Sequence, residues 1–256
     1  MSSLPTLLKN SLRTLGLSQR RCAHCLRPFI PERSDVPDSV RNLAAQDFLC
    51  PQCLKALPRY LGSHCPRCGL PATNNEQHSN VVCGACLQQP PPWRGLAFHG
   101  LYAGDLRDML LRLKFDGQLY LAKPLGTFLQ EAAACLSRPD GVLAVPQHPD
   151  HLRRRGYNQA HELARALCNL SGLSLRTDLL HRPLPGPAQA GLSAMARRDN
   201  VRHSFAASPA AAGLHLWIID DVMTTGSTLR AATEVLCTAG AKSVDVLFVA
   251  RTPRLP

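Results

Sequence analysis

Four equal C-x-x-C pairs, Cys22/Cys25, Cys50/Cys53, Cys65/Cys68 and Cys83/Cys86, crowd the first third of the chain and constrain its fold more than any other feature. A C-x-x-C turn aims two sulfurs at one centre, and two such turns supply the tetrahedral four-thiolate shell that Zn²⁺ prefers in structural sites. Four turns therefore predict two closed zinc centres. Sequential pairing, Cys22/Cys25 with Cys50/Cys53 and Cys65/Cys68 with Cys83/Cys86, is the most economical, and nested pairing satisfies the same arithmetic. Chance pairs or a redox dithiol do not account for four equal spacings in so short a stretch. A closed centre has no open coordination position, so its expected part is to hold together a module too small to fold otherwise. The solitary Cys135, Cys168 and Cys237 stand in helical patterns beside Ala and Leu and are expected in the core.

With 45% hydrophobic residues over 256 positions the chain is too apolar for disorder and long enough for a real core. No apolar run approaches the ~18 to 20 residues that cross a bilayer, so no membrane insertion is expected. Met1 to Leu17 is interrupted by Pro5, Lys9, Asn10 and Arg13 and lacks a secretory signal, which predicts a cytoplasmic protein. Thiols stay reduced there, which favours metal ligation over disulfides. The formal charge is +11. Two four-thiolate zinc centres, each carrying −2, bring it to about +7, still suited to phosphate or nucleic-acid partners.

The cysteine-rich part is poor in long apolar periodicity, and the chain then changes character. The expected organisation is an N-terminal extension over 1–21, a double zinc ribbon over 22–89, a linker over 90–97 around Pro90-Pro91-Pro92, and an α/β domain over 98–256. Asp105 to Lys114, Leu125 to Leu136, Asn158 to Leu170 and Ser227 to Ala239 carry helical spacing; Gly141 to Val145, Leu214 to Ile219 and Val244 to Ala250 read as buried strands. Strands alternating with helices imply a doubly wound parallel sheet.

The segment from Leu216 to Thr228 carries the chemistry. A buried strand delivers Asp220 and Asp221 to its carboxyl end, and Thr224-Thr225-Gly226-Ser227-Thr228 then turns into a helix. Open α/β sheets bind ligands at that edge. Backbone N–H groups and hydroxyls of 224–228 can surround a phosphate at the positive helix end. Ionised carboxylates just before them are acceptors suited to paired sugar hydroxyls and to a metal-bound pyrophosphate. Phosphate, diol and metal together describe a ribose phosphate. An ordinary strand capped by Asp and Thr explains one Asp, but not two with four hydroxyl residues around a Gly.

This arrangement resembles the signature of the type I phosphoribosyltransferases, which bind 5-phosphoribosyl 1-pyrophosphate, and differs from a Walker loop, since no Gly-Lys-[Ser/Thr] follows a glycine-rich turn. Val145-Pro146-Gln147-His148-Pro149, then Leu152-Arg153-Arg154-Arg155-Gly156-Tyr157-Asn158-Gln159, then Gln189-Ala190-Gly191-Leu192 with Arg197, Arg198, Asn200 and Phe205, are similar to the ComF/GntX family. That family joins an N-terminal double zinc ribbon to a phosphoribosyltransferase domain, so the resemblance covers nearly the whole chain. It implies that Asp220 and Asp221 contact ribose and Mg²⁺, that Thr224 to Thr228 cradle the 5′-phosphate, and that the turn through Pro146, Gln147 and His148 takes pyrophosphate. The Gln189 to Phe205 segment becomes a mobile lid that Arg197 and Arg198 flank. His151 stands where the family pattern leads one to expect Arg, so pyrophosphate-side charge is expected from Arg153, Arg154 or Arg155. A solvated face is the alternative for that triplet.

The implied activity is transfer of the phosphoribosyl group from 5-phosphoribosyl 1-pyrophosphate, with Mg²⁺, to an acceptor the sequence does not name. Met1-Ser2-Ser3 offers no cysteine for glutamine hydrolysis, so nothing supports a glutamine amidotransferase. ComF-like proteins are associated with DNA uptake and use. The rival expectation is therefore a ligand-sensing or binding scaffold, with single-stranded DNA or a DNA-uptake helicase as candidate partner. No aromatic stacking platform is evident for direct single-strand recognition.

Overall fold

The structure, a computed structural model, describes residues 19–31, 45–72, 81–183 and 204–253. The chain divides into two compact units, Met1–Pro58 and Arg59–Pro256, and the division falls between Cys53 and Cys65. Each unit thus carries two of the C-x-x-C turns.

In the first unit, β1 (Arg20–Arg21) pairs antiparallel with β2 (Pro28–Phe29). Between them the chain passes Cys22 and Cys25 and turns at Leu26, a non-glycine residue at φ 63°. Helix α1 (Pro51–Ala56) begins directly after Cys50, with proline preset for the first helical turn. The second unit repeats this plan. Gly69 follows Cys68 at φ +68°, and α2 (Gly84–Gln88) begins directly after Cys83.

The rest of the second unit is built on four strands, β3 (Gly95–Leu101), β4 (Gly141–Ala144), β7 (His215–Met223) and β8 (Ser243–Arg251), all parallel in the order β3-β8-β7-β4. Alternate side chains enter different layers. Leu216 and Ile218 of β7 join Val244, Val246 and Phe248 of β8 against Leu229, Ala232 and Leu236 of α7 (Ser227–Thr238). The opposite face is covered by α4 (Ala122–Ala132) and α6 (Gln159–Ser171), which also pack on each other. The sheet is therefore parallel and wound on both faces, as its alternating strands and helices predict. Helix α3 (Gly104–Phe115) buries Leu106, Met109, Leu110 and Leu113. A two-stranded antiparallel pair, β5 (Leu180–His181) and β6 (Ala206–Ala207), stands apart from the main sheet. Among the described residues no helix is long and apolar enough to cross a membrane.

Three elements differ from the sequence reading. Strand β3 begins inside the stretch read as a linker, and Trp93 just before it is buried. A short helix α5 (Pro149–Arg155), which the sequence reading did not assign, follows the turn after β4. Of the solitary cysteines expected in the core, only Cys168 is buried, and burial pushes its thiol up to about 11. Cys135 is exposed in the 3₁₀ turn that ends α4, and Cys237 is exposed on the last turn of α7. A neighbouring Ala or Leu marks the helix but not the face, because adjacent residues point about 100° apart.

Candidate functional site

Helices covering opposite faces of the sheet leave a crevice where β4 and β7 end, the usual ligand position of open α/β sheets. The chain beyond β4 and the chain at the end of β7 line the same pocket there, of about 400 Å³. Its walls include Pro146, Gln147 and His148 from the first segment and Asp220, Asp221, Thr224 and Thr228 from the second.

Asp221 is 4% exposed and Lys114 Nζ lies 3.4 Å from its Oδ2. Gln159 Nε2 donates to the same oxygen at 3.2 Å. Gln159 Oε1 in turn accepts from Arg155 Nη1 at 3.3 Å and from Gln147 Nε2. Lys114 of α3 and Gln159 of α6 thus meet on one carboxylate, and Gln159 links it to Arg155 of α5 and to Gln147 after β4. Burial and the adjacent Asp221 hold the Asp220 carboxyl well above the usual carboxylate range. Its Oδ1 accepts the backbone N–H of Asp221 at 2.9 Å.

Past the carboxylates the chain turns through Gly226, at φ +80°, into α7. Thr225 Oγ1 and Ser227 Oγ lie 3.0 Å apart across this turn, so the two hydroxyls bond each other, and Thr225 Oγ1 also accepts Ser227 N–H. The hydroxyl-rich turn and the helix start together present donors to an anion.

The arginine triplet divides. Arg155 lines the pocket, whereas Arg153 and Arg154 do not, and Arg153 pairs with Asp150 at 2.9 Å. His148 caps α5, its Nδ1 accepting the Asp150 N–H at 3.3 Å. His151 also lines the pocket, and burial followed by the charges of Arg155 and Arg154 lowers its pKa. Arg197 and Arg198 lie outside the described residues, as does most of the segment from Gln189 to Phe205. Sequence reasoning gave no role to Lys114, Gln159 or Arg182, although Gln159 closes the segment from Leu152 that carries the family resemblance. Arg182 lines the pocket with its guanidinium 5.2 Å over the Phe205 ring, and its buried Nε has no hydrogen-bond partner among the described residues. No contiguous motif holds these three. Only the meeting of α3, α6 and the chain just after β5 brings them to one place.

The sulfurs fall into two groups, Cys22, Cys25, Cys50 and Cys53, and Cys65, Cys68, Cys83 and Cys86, each with its ligand atoms within 4.8 Å of one another. Pairing is thus sequential. Cys25 Sγ lies 3.8 Å from Cys50 Sγ, and Cys68 Sγ lies 3.7 Å from Cys83 Sγ. A tetrahedron with Zn–S bonds of about 2.3 Å has edges of about 3.8 Å, so both groups fit Zn²⁺. In each group the third cysteine donates its N–H to the first sulfur, Cys50 to Cys22 and Cys83 to Cys65, both at 3.3 Å. Burial opposes charge on Cys22 and Cys65, but such backbone donors prevail and bring both thiols down to about 7. Burial and the other thiols push Cys53 and Cys86 up. Four sulfurs at these spacings could hold a metal cation as thiolates.

Sheet, carboxylate pocket and cysteine centres define the class: a parallel α/β protein fitted with two Cys₄ ribbons and a pocket suited to an anionic ligand at the carboxyl edge of its sheet. No family model matches the chain. It is 34% identical over 210 residues to the DNA utilization protein YhgH of Salmonella typhimurium, covering 80% of this chain and 90% of that protein. It is 30% identical over 216 residues to competence protein F of Haemophilus influenzae, covering 81% and 92%. Identity to competence protein ComFC of Streptococcus pneumoniae is 26% over 205 residues, covering 79% and 87%. The chain belongs to the ComF/GntX family. Among solved structures it is similar to a glutamine phosphoribosylpyrophosphate amidotransferase from B. subtilis, with 22% identity, a TM-score of 0.36 and 51% of this chain covered. The match spans about a quarter of the length of that enzyme, 26%. For the protein TT1426 from Thermus thermophilus the identity is 17% and the TM-score 0.33, covering 52% of this chain and 83% of that one.

Proposed function

We propose that the pocket binds 5-phosphoribosyl 1-pyrophosphate with Mg²⁺ and that the protein transfers the phosphoribosyl group to an acceptor in the service of DNA utilisation. The names of the relatives YhgH and competence protein F support the cellular role. One observation carries the chemistry. Two adjacent carboxylates and a hydroxyl-rich helix start face Lys114, Arg155 and Arg182 across a single pocket of about 400 Å³.

In this reading the amides and hydroxyls of 224–228 hold the 5′-phosphate at the start of α7. Asp220 and Asp221 accept the ribose hydroxyls and are the residues that would hold Mg²⁺, which when bound neutralises pyrophosphate oxygens. Arg155, His148 and the Pro146 to His148 turn face the leaving group. The Nε of Arg182, without a hydrogen-bond partner among the described residues, supplies one more donor to an anion. The acceptor nucleophile forms its bond to the anomeric carbon as the bond from that carbon to pyrophosphate oxygen breaks. The electron pair leaves with pyrophosphate. Preorganised charge stabilises the cation-like sugar, and no covalent enzyme intermediate is needed. Lys114 holds Asp221 as an acceptor, and Gln159 passes the position of that carboxylate to Arg155 and Gln147. The lid assigned to Arg197 and Arg198 would exclude water from the reactive sugar.

Isothermal titration of 5-phosphoribosyl 1-pyrophosphate with Mg²⁺ tests the pocket without knowledge of the acceptor. Wild-type protein is expected to bind, and Asp220→Asn/Asp221→Asn to lose at least about a hundredfold in affinity, the loss of two charge-assisted contacts. Absence of binding by folded, zinc-loaded wild type sinks the proposal. Binding without pyrophosphate release across an acceptor screen would leave a ligand-sensing scaffold.

A further inference from the structure

The second cysteine group and the ligand turn are tied together by three side chains that neither site requires for its own chemistry. Arg251, at the end of β8, is 5% exposed. Its Nε donates to Cys68 O at 2.9 Å, and its Nη1 donates to Met223 O at 2.9 Å, Thr224 O at 2.5 Å and Thr252 O at 2.8 Å. Trp93 donates from Nε1 to Arg67 O at 2.7 Å, and its ring lies 3.5 Å from where a Cβ on Gly226 would stand. Arg230, one turn into α7, donates to Pro90 O at 2.9 Å and Gln89 O at 3.1 Å, just beyond α2. The carbonyls of Arg67 and Cys68, the last two residues of the third C-x-x-C turn, are therefore gripped by groups that also touch the ligand turn.

Two physical consequences follow. In a trans peptide the C=O and the next N–H point in opposite directions. Fixing the Met223 and Thr224 carbonyls on Arg251 therefore turns the N–H groups of Thr224 and Thr225 to the other side, away from the guanidinium. The second consequence is electrostatic. Four acceptors of Arg251 are neutral carbonyls, and the Cys68 side chain is a further hydrogen-bond partner. A buried guanidinium needs an opposite charge nearby. A four-thiolate zinc centre carries a formal −2, and Cys68 is one of its ligands.

We infer that the second Cys₄ centre, acting through Arg251 with Trp93 and Arg230, sets the conformation of residues 223–230, so that metal occupancy there and anion binding at the turn are coupled. Arg251 is a positioning residue: it touches neither ligand. Coupling of this kind is reciprocal, so an anion on the turn tightens zinc binding by the same factor by which zinc tightens anion binding. The functional half of the inference rests on reading 224–228 as a phosphate cradle. The structural half does not.

The test is hydrogen exchange on the full zinc-loaded chain, read at amides 224–229, together with the rates at which a chelator removes zinc. Arg251→Met is expected to exchange these amides about tenfold faster and to release one zinc about tenfold faster, with its far-ultraviolet circular dichroism retained. Cys86→Ser leaves Arg251 in place and breaks only metal binding; it is expected to raise exchange at the same amides. If Arg251→Met does not fold, Arg251→Lys keeps the charge but cannot span the Cys68 and Met223 carbonyls, and gives the same two readouts. Loop exchange unchanged in Cys86→Ser, with zinc content lowered by one, overturns the inference. Neither readout needs ligand. Wild-type protein that fails to bind 5-phosphoribosyl 1-pyrophosphate while its loop exchange follows zinc would refute the substrate and uphold the coupling.

Discussion

Asp220 works against the stability of the protein that holds it. Burial and the like charge of Asp221 raise its folded-state pKa above the unfolded value. A carboxyl shifted in that direction withdraws stability as pH rises above the ordinary carboxylate range near about 4. Asp220→Asn is therefore expected to raise the melting temperature of the unliganded protein at pH 7 by about 2 °C or more while removing ligand binding. Calorimetry of both proteins between pH 5 and 8 checks this, and a variant that melts lower than wild type would contradict it.

Asp245, at the amino edge of the sheet, behaves oppositely. Burial works against its charge, but hydrogen bonds from Arg94, at 2.6 and 3.0 Å, and from His215, at 2.9 Å, hold its carboxyl below the usual range. Its contribution is fully present above the unfolded pKa near about 4 and is lost as pH falls through the lower folded value. Asp245→Asn is expected to cost about 2–4 kcal/mol at pH 7 and to flatten the acid limb of stability, measured by urea unfolding from pH 3 to 7. An Asp among the Val, Leu and Phe residues of β8 was visible in the sequence. Its partners, 30 and 151 residues away, were not.

Elements with a periodic stripe were legible in the sequence. Helices α3, α6 and α7 lie within two residues of the spans their spacing predicts, because one apolar face packs on one sheet face. Strand β3 carries Gly95, Gly100 and His99 and no clean alternation, so its pattern does not announce a strand. Helix α5 buries nothing, so it has no stripe to read. At the turn into α7 the requirement is conformational. Gly226 stands at φ +80°, where a side chain is strained, and an added Cβ would also displace the flexible end of Met223. Gly226→Ala is expected to cost about 1–2 kcal/mol and to weaken ligand binding more than tenfold, since the turn cannot relax without moving its amides. Thermal unfolding and titration of this variant check both, and unchanged affinity would show that the turn does not hold the ligand.

The whole molecule joins two cysteine centres to one α/β sheet. The spacing of the cysteines predicted the eight ligands of the two centres but left their division between the centres open, since sequential and nested arrangements differ only in three dimensions. The structure groups them sequentially. Metal analysis is expected to find about two zinc per chain, falling to about one in Cys25→Ser and in Cys86→Ser. Two zinc retained in either variant would contradict the four-cysteine assignment. The pocket was half legible. Its acidic pair, hydroxyl turn and Pro146 to His148 segment are contiguous motifs, whereas Lys114 and Arg182 reach it only because helices and strands from separate parts of the chain end at one edge.

A crystal structure of the zinc-loaded protein with 5-phosphoribosyl 1-pyrophosphate and Mg²⁺ tests the central claim most directly. The 5′-phosphate is predicted on the amides of 225–228, the ribose hydroxyls on Asp220 and Asp221, and pyrophosphate beside Arg155. Ligand bound elsewhere on the chain, or an empty turn at saturating ligand, would contradict it.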